Sequence, residues 1–270
     1  MQKGPLAAVA IAAIALLGIY LFTDIKQAKT TKVAENTTAI VQTGNEYIQS
    51  FLNSLDQSKR DLASALYQRV EELDTAAVDE LIRFYEDLQQ YNFAAYMHSS
   101  KAALSPSRAN WELAGDRQLS VSSNEAYDSD FNEVLYQEAL SSYQHAIDLD
   151  SNSLDLQVKL GSAIVDRSPQ PMQGISLLLG VIEKDSMHIN GNLALGKFGI
   201  ISGQYDKAII RLEKVLSLQP QNTEALFLSA EAYSNLGNTD KAIEALNLCK
   251  DLVENEDLKK EIDAYLQQLL

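Results

Sequence analysis

The chain of 270 residues holds one cysteine and three histidines. A lone cysteine, Cys249, excludes an intrachain disulfide and a cysteine-built zinc site. It falls at a small apolar place in a helical pattern and reads as a buried hydrophobe. His98, His145 and His188 stand too far apart for a helical metal pair, and no carboxylate–histidine motif surrounds them. The sequence has no phosphate-cradling glycine loop, no Gly-x-Ser-x-Gly and no Cys-x-x-Cys. No catalytic, cofactor-binding or metal-ligating residue follows, and an enzyme is not expected. Positive charge is also scarce. The 22 Lys and Arg against 37 Asp and Glu leave a formal net charge of −15. Such a balance repels nucleic acid and anionic lipid head groups. The acidity reads as a source of solubility, or as a preference for a basic partner.

What the sequence does contain is a repeat. Asp206-Lys207-Ala208-Ile209 recurs as Asp240-Lys241-Ala242-Ile243, 34 residues on. Gly203 recurs as Gly237, Leu212 as Leu246, and Val215 is replaced by Cys249. A fixed period in the thirties marks a stack of small helical units. Ala208, Leu212 and Val215 lie on one face of a helix, and Pro220 stops that helix.

The unit resembles the tetratricopeptide repeat. Leu195-Gly196 stands for the Leu-Gly pair of its first helix, Gly203 and Tyr205 for the turn, Ala208, Leu212 and Val215 for the stripe of its second helix, and Pro220 for its end. This places one copy at 189–222. A second, 223–254, keeps Leu226, Ala230, Tyr233, Gly237, Ala242, Leu246 and Cys249, with Ser229 where leucine is usual. A third, 154–188, keeps Leu160-Gly161, Leu178 and Val181, with a Ser168-Pro169-Gln170-Pro171 turn. A fourth, 108–153, carries Trp111, Ala114, Gly115, Tyr136, Ala139, Tyr143 and Ala146 around an inserted polar loop at 119–131. A degenerate unit at 74–107 precedes it, and 255–270 reads as an amphipathic capping helix. The resemblance implies an all-α solenoid of helical hairpins in a right-handed superhelix. It also implies a groove lined by the first helices, where a peptide or helix of a protein partner would bind. Carried over by position, that groove comprises Val158, Ser162, Val165 and Asp166; then Leu193, Lys197, Ile200 and Ile201; then Phe227, Glu231, Ser234 and Asn235. The lysine-rich clamp with which some members hold a chaperone's C-terminal carboxylate is missing, so an extended or helical segment with apolar anchors suits the groove better.

Residues 6–22 form an unbroken apolar run, at the short end of what spans a bilayer. Bulky Ile19, Tyr20, Leu21 and Phe22 stand where a signal-peptide cleavage site would need small residues. The run therefore reads as an uncleaved transmembrane signal anchor behind the short tail 1–5. A polar tether (23–44) and a helical connector (45–73) follow. The basic residues Lys3, Lys26, Lys29 and Lys32 do not fix its orientation, whereas the layout favours a periplasmic body. The layout looks like bacterial membrane-anchored repeat proteins such as the repeat subunits of cytochrome c-type biogenesis and of the secretion translocon. The resulting expectation is a single-pass inner-membrane scaffold that recruits a protein partner. The alternatives are an assembly factor akin to those subunits, or a self-assembling homo-oligomer joined through 46–73 or the solenoid ends.

Overall fold

The structure, a computed structural model, describes residues 44–269. Every regular element among them is a helix, and the chain divides into two compact units between Asn152 and Ser153. Unit 1 contains α1 (44–54), α2 (Gln57–Glu71), α3 (Thr75–Asp87), α4 (Tyr91–Leu104), α5 (Arg108–Ser122) and α6 (Ser129–Leu149). Unit 2 contains α7 (Leu154–Arg167), α8 (Pro171–Lys184), α9 (Ile189–Ile201), α10 (Tyr205–Leu218), α11 (Thr223–Asn235), α12 (Thr239–Leu252) and α13 (Glu256–Leu269).

The helical-hairpin part of the expected fold agrees with this architecture; the membrane part is corrected. Among the described residues, no helix is long and apolar enough to cross a membrane. The apolar run 6–22 lies outside the described residues. With no such helix among the described residues, the transmembrane part of the expected fold and the single-pass inner-membrane placement with a periplasmic body are not supported.

In unit 2 the sequence dictates three hairpins, α7/α8, α9/α10 and α11/α12. Ser153 and Asn222 cap α7 and α11, their side chains accepting from the Leu156 and Ala225 amides, as short polar side chains do at helix starts. Pro171 opens α8, where its missing N–H would have had no helical partner. Gly203 and Gly237 take the left-handed conformation, φ +71° and +74°. The following amides then reach back to the ends of the first helices: Gln204 N–H to Gly199 O at 2.7 Å, Asn238 N–H to Tyr233 O at 2.9 Å. These bonds reverse the chain and satisfy carbonyls that a helix end otherwise leaves bare. The first helices α7, α9 and α11 touch one another in sequence, and α8 and α10 each pack on the next hairpin. Helix α13 packs on α12 and buries Ile262.

Within each hairpin small residues set the spacing. A Cβ added to Gly174 would sit 2.3 Å from the Gly161 carbonyl oxygen, so α7 and α8 touch backbone to backbone. In α9/α10 a Cβ on Gly196 would meet Leu212 Cδ2 at 2.7 Å, and one on Gly199 would meet Ala208 Cβ at 3.0 Å. Ala208, Leu212 and Val215 are fully buried beneath these contacts. In α11, Ser229 is buried with its hydroxyl unpaired, which burial makes costly.

Unit 1 is built on aromatic rings. Tyr47 of α1 lies against Phe131 (5.2 Å between centroids), Phe51 against Phe93 (5.1 Å), and Phe93 against both Phe131 (5.1 Å) and Tyr85 (5.5 Å). Tilted rings at these spacings add to what their burial already contributes. The Tyr67 and Tyr85 hydroxyls hydrogen-bond at 2.8 Å inside this core. Helix α1 lays Ile48 and Leu52 on the same cluster. Turns α2–α3 and α3–α4 use the bonding of the glycine turns without glycine. Leu73 (φ +65°) and Gln89 (φ +57°) take the left-handed conformation, and the Asp74 and Gln90 amides reach back to Arg69 O and Tyr85 O. Each such residue costs roughly 1–2 kcal/mol. Of the stretch 119–131, Leu119–Ser122 completes α5 and Ser129–Phe131 opens α6, capped by Asp128. Trp111 of α5 stacks on His145 of α6 at 4.4 Å.

Two glycines of α8 should respond oppositely. Gly174→Ala forces a methyl onto the Gly161 carbonyl and should lower stability by about 1–3 kcal/mol. Gly180 has open space where its Cβ would be, and Gly180→Ala should gain about 0.5–1 kcal/mol from helix propensity. Urea unfolding of the two variants beside the parent chain measures both. Equal effects of one sign would contradict the close backbone approach.

Candidate protein-binding face

The sequence-derived groove falls on the first helices of unit 2, and its residues divide into three groups. Val158 and Ile200 are buried; Val158 belongs to the core with Leu178, Val181 and Phe198, and Ile200 to that with Ala208 and Leu212. Val165 and Leu193 are half-buried against these same cores. Phe227 is covered from within the chain, since its ring lies 6.2 Å from that of Tyr265 on α13. The accessible remainder is Ser162, Asp166, Lys197, Ile201, Glu231, Ser234 and Asn235, of which Asp166, Ile201 and Asn235 are exposed. The apolar anchors expected of Val158, Ile200 and Phe227 thus serve the fold itself. A helix of this length must bury its apolar stripe to be stable, and the neighbouring hairpin claims it first.

Lys197, the one cation of the expected set, is 3.6 Å from the Asp166 carboxylate on the preceding first helix. At the other end of the same two helices Asn190 Nδ2 donates to Asp155 Oδ1 at 2.9 Å, and His188 Nε2 stands 3.6 Å from that oxygen. His188 also caps α9, its Nδ1 accepting from the Gly191 amide. Polar bridges therefore fasten both ends of the α7–α9 step. Asp155, His188 and Asn190 were not among the residues expected on this face. Asp155 and Asn190 hold the second place of consecutive repeats, as Glu224 does in the next, and that periodicity was the signal available for them.

The other two histidines have structural roles. Both are on or against the helices of unit 1, and burial lowers the pKa of each. His98 is pushed down to about 4, by burial first and then by Arg117 and Lys101, with Asp79 opposing. Glu138 of α6 is buried, and the loss of solvation pushes its carboxyl up to about 7 against a hydrogen bond from Ser99 of α4. Among the described residues no group of three or more His, Cys, Asp or Glu side chains is placed to hold a metal ion. Cys249 is buried in the α11–α13 core, its thiol 3.4 Å from the Thr223 carbonyl.

Residues 200–251 match the Tetratricopeptide repeat family. Anaphase-promoting complex subunit 3 of Dictyostelium discoideum is 28% identical over 107 residues, which are 40% of this chain and 11% of that one. The chain thus spans only a small part of the length of the curated relative it matches. Among solved structures, PilW, described as a widely conserved type IV pilus biogenesis factor, is similar at a TM-score of 0.51 and 18% identity, over 72% of this chain and 92% of that one. YrrB, described as a TPR protein with an unusual peptide-binding site, gives 0.45 and 18% over 75% and 99% of the two chains. MamA gives 0.47 and 20% over 67% and 95%. At this identity the PilW likeness is one of fold.

What is supported is the repeat and its hairpin stack. The likeness in layout to membrane-anchored cytochrome c-type biogenesis and translocon subunits is corrected accordingly, because it rested on a span that no described helix supplies.

Glu138 and His98 of unit 1 predict opposing pH responses. Glu138 binds its proton more tightly folded than unfolded, so its contribution is complete below about pH 4.5 and is lost as pH rises through about 7. The neutral His98 does the reverse, and its contribution is lost as pH falls from about 6.5 through about 4. Relative to the parent chain, Glu138→Gln should gain stability progressively from pH 4.5 to 7.5, by about 2–3 kcal/mol at the top of that range. His98→Gln should gain it towards acid. Urea midpoints across this range measure both, and parallel profiles for parent and variants would remove these two groups from the balance.

Proposed function

We propose that the protein is a scaffold that holds a segment of a partner protein on the face formed by α7, α9 and α11. The observation that carries this reading is the unbroken side-by-side run of three first helices. Their accessible residues, Ser162, Asp166, Lys197, Ile201, Glu231, Ser234 and Asn235, are polar or isolated apolar groups and not a further layer of core. A strip of this kind gives a partner segment hydrogen-bonding groups for orientation, with Ile201 as an apolar contact. The family match over 200–251 supports it, since those residues include the end of α9 and all of α11.

The test places a photo-crosslinking residue at Ser162 or at Ile201, and for comparison at Met172 or Leu248, which are exposed on the second helices α8 and α12. Illumination of cells producing the full chain should give the same adduct from Ser162 and Ile201 and none from Met172 and Leu248. Adducts confined to Met172 and Leu248 would move the interface to the second helices and sink the proposal.

A further inference from the structure

The α7–α9 and α9–α11 steps are both helix contacts, and repeat register assigns them the same two positions with different residues. In the first step the thirteenth residue of α7's repeat, Asp166, meets the ninth of α9's repeat, Lys197, at 3.6 Å. In the second step those positions hold Ile201 and Glu231. The ion pair is gone. Ile201 is 70% exposed, high for a branched aliphatic side chain at the end of a buried helix. The half-buried Glu231 makes no ion pair among the described residues, while Asn235 is held to its backbone carbonyl at 2.9 Å. Helix α11 carries a second acid, Glu224, and no Lys or Arg at all. By repeat register, an accessible aliphatic side chain thus replaces the acid of the preceding step, and a carboxylate that makes no ion pair among the described residues replaces its cation.

We propose that the Ile201–Glu231 step is a subsite for a lysine or arginine side chain of the docked segment, with the aliphatic stem on Ile201 and the charged head at the Glu231 carboxylate. This rests on the reading of the α7–α9–α11 face as the docking surface, and it names the partner's chemistry. Long cationic side chains lay their methylenes along apolar surface and keep the head in polar surroundings. A charge-assisted hydrogen bond to a carboxylate is stronger than a neutral one. The net charge of −15 favours the approach of such a segment at low salt.

The experiment probes an array of random decapeptides with the labelled full chain. The strongest binder is then measured by fluorescence anisotropy with its cationic residue intact and replaced by norleucine. Bound peptides should be enriched in Lys or Arg next to apolar residues. The norleucine replacement and Glu231→Gln should each weaken binding about tenfold, and together no more than either alone. Glu183→Gln, which removes an exposed acid from α8, should bind as the parent does. Peptides captured without cationic preference, or equal losses in Glu231→Gln and Glu183→Gln, would overturn the subsite and leave the docking face standing. Capture of no peptide would overturn both.

Discussion

Paired helices in unit 2 approach until backbone meets backbone. Between Gly161 and Gly174 there is no room for a single methyl group, and at the α9/α10 crossing Gly196, Gly199 and Ala208 leave scarcely more. Closeness at these points draws the larger side chains of each hairpin into the seams between neighbours, where Leu178, Leu212 and Leu246 become inaccessible. That packing uses the apolar stripe of each first helix and leaves its other edge to solvent. The candidate binding face is what remains after the hairpins have satisfied one another, which is why it holds mostly polar groups and only one widely exposed aliphatic residue.

Unit 1 reaches a comparable end by different means. Its core is one cluster of rings shared by α1, α3, α4 and α6. Large side chains hold its helices together where unit 2 uses bare backbone. The two units differ in how visible they are in the sequence for this reason. Gly196, Gly203, Ala208 and Pro220 announce a hairpin because only small, left-handed or helix-ending residues satisfy its geometry. The turns at Leu73 and Gln89 reproduce the bonding of Gly203 with residues that carry no such signature. Strain accepted by an ordinary side chain is invisible to pattern reading, so the early helices were legible only as a degenerate unit and a connector.

The face was legible in position and less so in substance. Repeat register named the residues of the first helices. It could not show that Val158 and Ile200 are taken by neighbouring hairpins, or that Phe227 is covered by Tyr265 of the last helix. Nor could it show that Lys197 is already engaged by Asp166. These are outcomes of tertiary competition, in which each side chain goes to the nearest surface that desolvates or neutralises it. Asp155 and Asn190 were overlooked because an acid and an amide 35 residues apart read as solvated until the fold places them 2.9 Å apart.

Trp111 is the chain's one tryptophan, and it is stacked on His145 where α5 crosses α6. Its indole therefore senses the environment of a single hairpin in unit 1. Tyrosines are spread over both units, so the intrinsic emission of the protein divides by wavelength. Light from the indole reports on the α5/α6 crossing. The sequence thus carries a local spectroscopic probe for one of its units and none of that kind for the other.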